Sequence, residues 1–344
     1  MHSPSPLKTS NGPTGRKTAP LLGLLAVLVI LGTGFLFSWH SLGDLDVWFH
    51  LKAGRELMDG QGIPRTNTYS FTEPDHPWVN HEWLFQVLAV VTGPSETVSG
   101  RTFGVGGWNA LRTFLVMVLL AVVLAGDRLH HRLLGREGPA WAAWAGLPVL
   151  VGLLLMWTRL TLRPELFSYL FLVLLVRDLD RFFRGPAFQT KKTGPRLMLF
   201  LDPRAPAGRI ILTTLLWAQF HGFAALAPVL TLFAWILALL RPVTGGPALD
   251  ARGRWGFVLV LMTTAALVLT PNGFRGLLMP LRAVTQFQQS QVDLRTTVAE
   301  LAPLQESPDS LHLTIRMYRA ALAGGLLWIL ATLGRISPLR ILVF

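Results

Sequence analysis

Apolar runs long enough to cross a lipid bilayer recur along most of this chain, and they limit its fold more than any other feature. A helix needs ~20 mostly apolar residues to span the hydrocarbon core of a membrane. The first such run extends from Pro20 to Trp39. Further candidate runs lie at 107–126, 140–158, 164–176, 209–221, 222–240, 255–270 and 318–334. The sequence therefore predicts an all-α fold, a polytopic transmembrane helical bundle of about eight spans.

Composition argues against the main alternative, a single soluble domain. Hydrophobic residues make up 51% of the 344 residues and charged residues only 15%. A soluble core of this size does not hold so many apolar side chains. The chain contains no cysteine, which excludes disulfide bonds and thiolate metal sites.

The net charge of +12 raises the question of nucleic acid binding, and the positions of the basic residues answer it. Lys and Arg concentrate in the N-terminal tail and in the loops at 127–139, 177–209 and 241–254. Cytoplasmic loops of membrane proteins carry an excess of Lys and Arg. We therefore predict that these loops and both termini are cytoplasmic, and that nucleic acid is not a partner.

The same threading divides the chain into regions. Residues 1–19, rich in Ser, Pro and Thr, are predicted to be a disordered, basic cytoplasmic tail, and residues 20–344 a transmembrane domain. The first run lacks a convincing cleavage site after it, which favours an uncleaved membrane segment over a signal peptide. Residues 39–106 and 271–317 become extracytoplasmic loops. The segment 81–95 is apolar but too short to cross, so we interpret it as an interfacial or re-entrant helix.

Polar and ionisable residues collect on the predicted outer side of the membrane. Those residues are Asp44, Asp46, His50, His81, Glu82, Arg159, Arg163, Glu165, Gln219, His221, Asn272 and Arg275. Ionisable groups at the ends of membrane spans are costly unless they are paired or functional. Their gathering on one side is a hypothesis of a functional site, although each of them taken singly fits a solvated loop residue.

The stretch Asp44-Leu-Asp-Val-Trp-Phe-His50 comes directly after the first run. An amphipathic helix is predicted from Leu45 onward, and on it Asp46 and His50 are four residues apart and share a face. Asp44 precedes that helix, where a capping role competes with a catalytic one. A carboxylate here suits a general base toward an acceptor hydroxyl. An Asp-x-Asp pair also suits a divalent cation, but two carboxylates alone are a weak metal signature, and no metal ligand is assigned.

Several motifs, taken in their order along the chain, resemble a known group of membrane proteins. The motifs are Asp44-x-Asp-x-Trp-x-His50, Gly62-Ile-Pro, Trp83-Leu, Arg163-Pro-Glu-Leu-Phe-Ser168, Leu216-Trp-Ala-Gln-Phe-His-Gly222 and Thr270-Pro-Asn-Gly-Phe274. The series is similar to bacterial multi-span proteins related to the GT-C superfamily of glycosyltransferases. That superfamily includes protein O-mannosyltransferases and the aminoarabinose transferases that modify lipid A. The resemblance extends from about residue 20 to residue 310.

The resemblance implies transfer of a sugar from a polyprenyl-phosphate donor to an acceptor hydroxyl at the extracytoplasmic face of a bacterial inner membrane. The acceptor would be a glycan, a lipid or a protein of the cell envelope. An acidic residue early in the first outer loop would be the base, a role that falls here on Asp44 or Asp46, with Asp44 slightly favoured. We expect an inverting single displacement and membrane lipids as further partners.

The chemistry of the leaving group suggests further residues. A departing phosphate develops negative charge, which fixed cations stabilise, and the guanidinium groups of Arg159 and Arg163 suit phosphate. Attraction to lipid headgroups is the alternative for both arginines, and a structural hydrogen bond between helices is the alternative for His221. We also assign substrate binding to His50, His81, Glu82 and His221.

The chain departs from the family pattern in two places. Gln219 stands where Asn is expected. The sequence also ends at Phe344 directly after the last predicted span, whereas such proteins commonly continue, which we interpret as a fragment, a split gene product or a minimal relative. A non-catalytic membrane scaffold and a transporter are the other functions to be weighed, although no internal repeat favours a transporter.

Overall fold

The computed structural model describes residues 15–39, 46–69, 76–93, 106–133, 141–156, 159–184, 200, 202–240 and 252–289. Within these ranges every regular element is a helix, and the one extended pairing is an isolated bridge between Thr66 and Pro77. The predicted all-α class is confirmed. Asp44, the first fourteen residues of the predicted tail and the predicted span at 318–334 lie outside the described residues.

The helices follow the apolar runs of the sequence closely. They are α1 Gly15–Ser38, α2 Asp46–Glu56, α3 Trp83–Thr92, α4 Gly106–Leu133, α5 Trp141–Met156, α6 Pro164–Arg184, α7 Pro206–Phe220, α8 Leu226–Leu240, α9 Arg252–Val268 and α10 Phe274–Gln289. A π turn, Leu57–Gln61, follows α2, and a 3-10 turn, Gly222–Ala225, precedes α8.

Two helices continue past the apolar runs that predicted them. Helix α6 runs to Arg184 and α4 to Leu133, so parts of the predicted loops 127–139 and 177–209 are helical. Polar residues do not end a helix when its backbone bonds continue and the side chains find partners. In the polar part of α6, the basic side chains find their partner in Asp178, which is buried.

Helices α6 and α7 lie antiparallel and mark two opposite ends of the bundle. At one end the indole of Trp217 donates a hydrogen bond of 2.8 Å to Ser168 Oγ. At the other end the guanidinium of Arg209 donates hydrogen bonds of 2.9 and 3.0 Å to Asp178. With a rise of 1.5 Å per residue, these two contacts are about 15 Å apart along α6. We call the first the site end and the second the basic end.

Helix α3 is short and ties several helices together at the site end. Its carbonyl of Ala89 accepts a 2.8 Å hydrogen bond from the indole of Trp108 on α4, and the indole of Trp83 donates a 3.0 Å hydrogen bond to Gln219 on α7. At ten residues it is about 15 Å long, too short to cross a bilayer. Its length fits the predicted interfacial or re-entrant helix.

Large apolar side chains face outward on several helices. Leu36 on α1, Val229 on α8 and Leu261 on α9 are each about half exposed or more, at 69%, 59% and 52%. In the part of the chain that the structure describes, two helical stretches are long and apolar enough to cross a membrane, Gly106–Gly126 and Gly222–Leu240, and Gly23–Ser38 and Trp255–Val268 are shorter apolar helices. The count of about eight spans therefore stays a prediction.

Helices α2 and α3 meet at a glycine, where a side chain has no space. A Cβ added at Gly54 would lie 2.2 Å from the carbonyl oxygen of Gln86 and 2.7 Å from Val90 Cγ2. The sequence thus keeps these helices close enough for α2 and the start of α3 to share one site.

Substitution Gly54→Ala should force α2 and α3 apart and destabilise the fold by about 1–3 kcal/mol, the usual cost of overpacking a close contact. Thermal unfolding of the purified protein in detergent, followed by fluorescence, measures the loss. Gly152→Ala is the matched control, because nothing lies within 4 Å of its added Cβ; within α5 it should be neutral or slightly stabilising. Equal unfolding temperatures for the two variants would contradict the close packing at Gly54.

Candidate functional site

Four elements bring the predicted site residues together at the site end. Helix α2 contributes Asp46 in its first turn and His50 one turn later, and His81 and Glu82 directly precede α3. The remaining residues come from the start of α6 and the turn after α7. These are Arg163, Glu165 and His221.

An open cavity of about 260 Å³ lies where these elements meet. Its polar lining consists of Asp46, His50, Glu82, Arg163 and Glu165. Three carboxyl groups therefore share one cavity with one guanidinium and one imidazole. Such a concave site with few, convergent polar groups is the usual form of a small-molecule site.

Asp46 and Arg163 form the exposed ion pair of this cavity. The Arg163 guanidinium lies 3.4 Å from the Asp46 carboxylate, whose side chain is 65% exposed. Pro164 begins α6, a position that suits proline because its missing N–H is not needed there. Arg159 therefore lies outside α6, is exposed, and is not among the residues that line the cavity. The structure therefore brings Asp46 and Arg163 together in the cavity, whereas Arg159 does not line it.

Glu82 is the hub of the buried part of the site. Its Oε2 lies 3.9 Å from His50 Nδ1, and its Oε1 lies 3.7 Å from the Nε2 atoms of both His81 and His221. The pKa of Glu82 is raised from the usual 4.5 to about 8, mainly by burial and in smaller part by the nearby carboxylates of Glu165 and Asp46, while Arg163 acts in the opposite direction. Glu82 is thus mainly protonated at neutral pH.

His81 and His221 are held by hydrogen bonds on the ring side that faces away from Glu82. The Nδ1 atom of His221 accepts the backbone N–H of Phe223 at 3.3 Å and lies 3.0 Å from Ser168 Oγ. The Nδ1 atom of His81 lies 2.9 Å from the carbonyl oxygen of Val79. Both rings therefore present Nε2 to Glu82.

Both imidazoles are kept neutral by their surroundings. Burial lowers the pKa of His221 to about 3, helped by the nearby rings of His81 and His50. Burial also lowers the pKa of His81, although its hydrogen bond to Val79 acts in the opposite direction. A neutral imidazole can accept a proton on one nitrogen and release one from the other, which suits proton transfer.

A second, small cavity lies on the other side of these two rings. It has a volume of about 30 Å³, enough for about one water molecule, and its polar lining includes His81, His221, Thr270 and Asn272. Gly222 also lines it, and a Cβ added there would lie 3.1 Å from His81 Nε2. The glycine lets the His81 ring lie close to the chain at this point.

Amide side chains hold the loop that carries His81 and Glu82. The side-chain amides of Asn80 and Gln86 bond each other at 2.7 and 3.1 Å, and both residues are buried. Asn272 donates a 2.8 Å hydrogen bond to the carbonyl oxygen of Asn80. Asn80 and Gln86 were not predicted as site residues. Gln86, an amide inside the apolar segment 81–95, is the signal that could have indicated a buried polar contact.

Gln219, the residue that departs from the family pattern, uses both ends of its amide. Its Oε1 accepts the indole N–H of Trp83 at 3.0 Å, and its Nε2 donates to the carbonyl oxygen of Leu269 at 3.1 Å. It therefore joins α7, α3 and the end of α9 rather than lining the larger cavity.

The raised pKa of Glu82 makes stability depend on pH. A carboxyl group that holds its proton more tightly when folded stabilises the protein fully below its unfolded pKa and loses this contribution as pH rises through the folded pKa. For Glu82 that window runs from pH 4.5 to about 8. His221 acts with the opposite sign between about pH 3 and 6.5. Among the described residues whose pKa is shifted, Glu82 is therefore the one that acts between pH 6.5 and 8.

In this window the unfolding free energy of the wild type should fall with rising pH by up to about 1.4 kcal/mol per unit. Glu82→Gln mimics the protonated carboxyl and should remove the slope, whereas Asp59→Asn, at an exposed carboxyl of the π turn, should keep it. Denaturant titrations in detergent at several pH values measure the difference. Identical slopes in wild type and Glu82→Gln would show that Glu82 ionises normally.

Among the described residues, no group of three or more His, Cys, Asp or Glu side chains is arranged to hold a metal ion. No protein-family model, no curated protein and no solved structure matches this chain, so the resemblance drawn from its motifs stays a prediction.

Proposed function

We propose that this chain is a polytopic protein of a bacterial inner membrane that transfers a sugar from a polyprenyl-phosphate donor to an acceptor hydroxyl at the extracytoplasmic face. The observation that carries the proposal is the cavity at the site end, in which an exposed carboxylate, Asp46, lies beside the guanidinium of Arg163. A base and a phosphate-binding cation are the two groups that such a transfer requires.

The distribution of charge and exposed apolar surface supports a membrane location. Large exposed apolar side chains that gather on a folded protein mark contact with another protein or with lipid, and here such side chains lie on α1, α7, α8 and α9. Four arginines of the predicted cytoplasmic loop 177–209 lie at the basic end, namely Arg177, Arg181, Arg204 and Arg209. They lie away from the cavity, as a protein with a cytoplasmic basic face and an outer active site requires.

The reaction follows from the two charged groups. The donor phosphate binds Arg163 through charge-assisted hydrogen bonds and shares this cation with the Asp46 carboxylate. Asp46 then removes the proton of the acceptor hydroxyl as the acceptor oxygen attacks the anomeric carbon. The bond from that carbon to the phosphate oxygen breaks, polyprenyl phosphate leaves as an anion, and the anomeric configuration inverts.

The test is sugar transfer by the purified full chain in lipid nanodiscs, with a panel of labelled polyprenyl-phosphate sugars and with envelope glycan, lipid and peptide acceptors. We expect release of polyprenyl phosphate and a product of inverted anomeric configuration, identified by NMR. Donor binding without transfer would favour a non-catalytic scaffold and overturn the enzymatic proposal.

Arg163→Gln should raise the KM for the donor by about 10- to 100-fold, because a hydrogen bond to a charged group contributes about 1.5–3 kcal/mol. Arg65→Gln is the matched control, since Arg65 is an exposed arginine of the first loop that does not line the cavity. Donor titrations of both variants under the same transfer assay measure KM. Equal KM values would remove Arg163 from phosphate binding.

A further inference from the structure

Glu82 lines the larger cavity of the site end, and its two carboxyl oxygens face different partners. Oε2 faces His50, which lines the larger cavity together with Asp46. Oε1 faces His81 and His221, which line the smaller cavity. A carboxyl group in this position can take a proton on one oxygen and release one from the other.

The hydrogen bonds of the two histidines decide which of them can take that proton. The Nδ1 atom of His221 accepts a backbone N–H, so the neutral ring carries its hydrogen on Nε2 and presents a donor to Glu82. The Nδ1 atom of His81 faces a carbonyl oxygen, which can only accept, so the neutral ring carries its hydrogen on Nδ1. His81 Nε2 therefore presents a lone pair to Glu82.

A lone pair and a carboxylate oxygen facing each other repel unless a proton lies between them. The 3.7 Å separation of Glu82 Oε1 and His81 Nε2 has to close by about 0.5–1 Å for that proton to form a hydrogen bond between the two atoms. The donor Nε2 of His221 lies 3.7 Å from the same oxygen, which is longer than a hydrogen bond.

We infer that Glu82 and His81 share one mobile proton and form a proton-transfer pair that links the Asp46 cavity to the small cavity beside His221. The role in transfer rests on the proposed function, in which Asp46 receives a proton from the acceptor hydroxyl. Glu82 and His81 then act through Asp46 and are positioning residues of the reaction.

The proton balance of each turnover is simple. The proton on Asp46 passes to Glu82 Oε2, while the proton already on Glu82 Oε1 passes to His81 Nε2. His81, now a cation, loses its Nε2 proton to solvent at the small cavity, and Asp46 is again a carboxylate. Rotation of the Glu82 carboxyl group then brings its proton from the Oε2 position back to the Oε1 position, which restores the starting state of the pair. No electron is transferred, and no co-reactant besides solvent is needed.

The groups that face Glu82 set where the shared proton lies. They are Asp46 and His50 from α2, Arg163 and Glu165 from the start of α6, His81 from its own loop and His221 from the turn after α7. The two carboxylates and burial favour the proton on Glu82, and only Arg163 opposes them. The resting proton therefore lies on Glu82, poised to move when a second proton arrives.

Infrared spectroscopy of the purified full chain tests the pair without any substrate. A carbonyl band of a protonated carboxyl group should persist at pH 7 and disappear as pH rises through about 8. Glu82→Gln should abolish this band, Asp59→Asn should keep it, and His81→Gln should shift the pH at which it disappears. Absence of the band in the folded wild type at pH 7 would overturn the proposal, whatever the transfer activity.

The pH profile of sugar transfer tests the route. In Glu82→Gln the rate of sugar transfer should fall at least about tenfold, a cautious lower bound, since a positioned acid or base usually contributes about 100-fold or more. The inflection of the rate near pH 8 should also vanish. Gly222→Ala keeps every titratable group but presses a Cβ against His81, so it should lower kcat with little change in KM.

A wild-type pH profile in Glu82→Gln would overturn the route while the glycosyl transfer stands. A titrating band with no transfer of any sugar would support the pair and count against the proposed reaction instead.

Discussion

Replacement of Asp46 by Asn should lower the rate of sugar transfer by about 100- to 10,000-fold, the range that a positioned general base contributes. Asparagine has the same shape but does not accept the proton of an acceptor hydroxyl. The effect should fall on kcat, because Arg163 remains available for the donor phosphate and even loses its competing partner. Donor binding should therefore be unchanged or slightly tighter.

Single-turnover measurements with a saturating labelled donor separate this effect from binding. Asp59→Asn is the control, because it removes one carboxylate from the same region without touching the cavity. Equal rates for Asp46→Asn and wild type would exclude Asp46 as the base. The same substitution at Asp44, the other predicted base, then decides between the two carboxylates.

The helices and the gathering of polar residues were largely predictable from the sequence. Apolar runs largely determine where a helix begins and ends, so α5, α7, α8 and α9 match their runs to within a few residues. The period of the α-helix likewise predicted that Asp46 and His50 share a face, and both line the larger cavity. These features depend on residues close together in the sequence.

The ranking of residues within the site was not predictable. Glu82 entered as one of several substrate-binding candidates, yet three histidines from separate elements surround it. Burial of that kind depends on how α2, α3 and α7 pack, which no local pattern records. The two arginines were predicted to act together, but Pro164 starts α6 after Arg163 and leaves Arg159 outside the cavity lining.

The basic end shows the same limit, because a charge count does not reveal a buried carboxylate. The sequence predicted a solvated basic loop from residue 177 onward, but Asp178 is 1% exposed and lies within 3.5 Å of the guanidinium groups of Arg177 and Arg181 as well as at 2.9 Å from Arg209. Three cations held around one buried anion depend on that anion for their arrangement.

Asp178→Leu should consequently destabilise the protein by about 3–5 kcal/mol, the usual cost of removing one partner of a buried ion pair. Leucine leaves the guanidinium of Arg209 without its two carboxylate hydrogen bonds and the neighbouring cations without a counter-charge. The double substitution Asp178→Leu with Arg209→Leu should recover much of the loss, because it replaces the pair by apolar contacts.

Denaturant unfolding in detergent measures the stability of both variants. Sugar transfer at low temperature should be nearly normal in the folded fraction, since the site lies at the other end of α6. A loss below about 1 kcal/mol for the single substitution would mean that solvent reaches Asp178 and screens the cluster as it screens surface pairs.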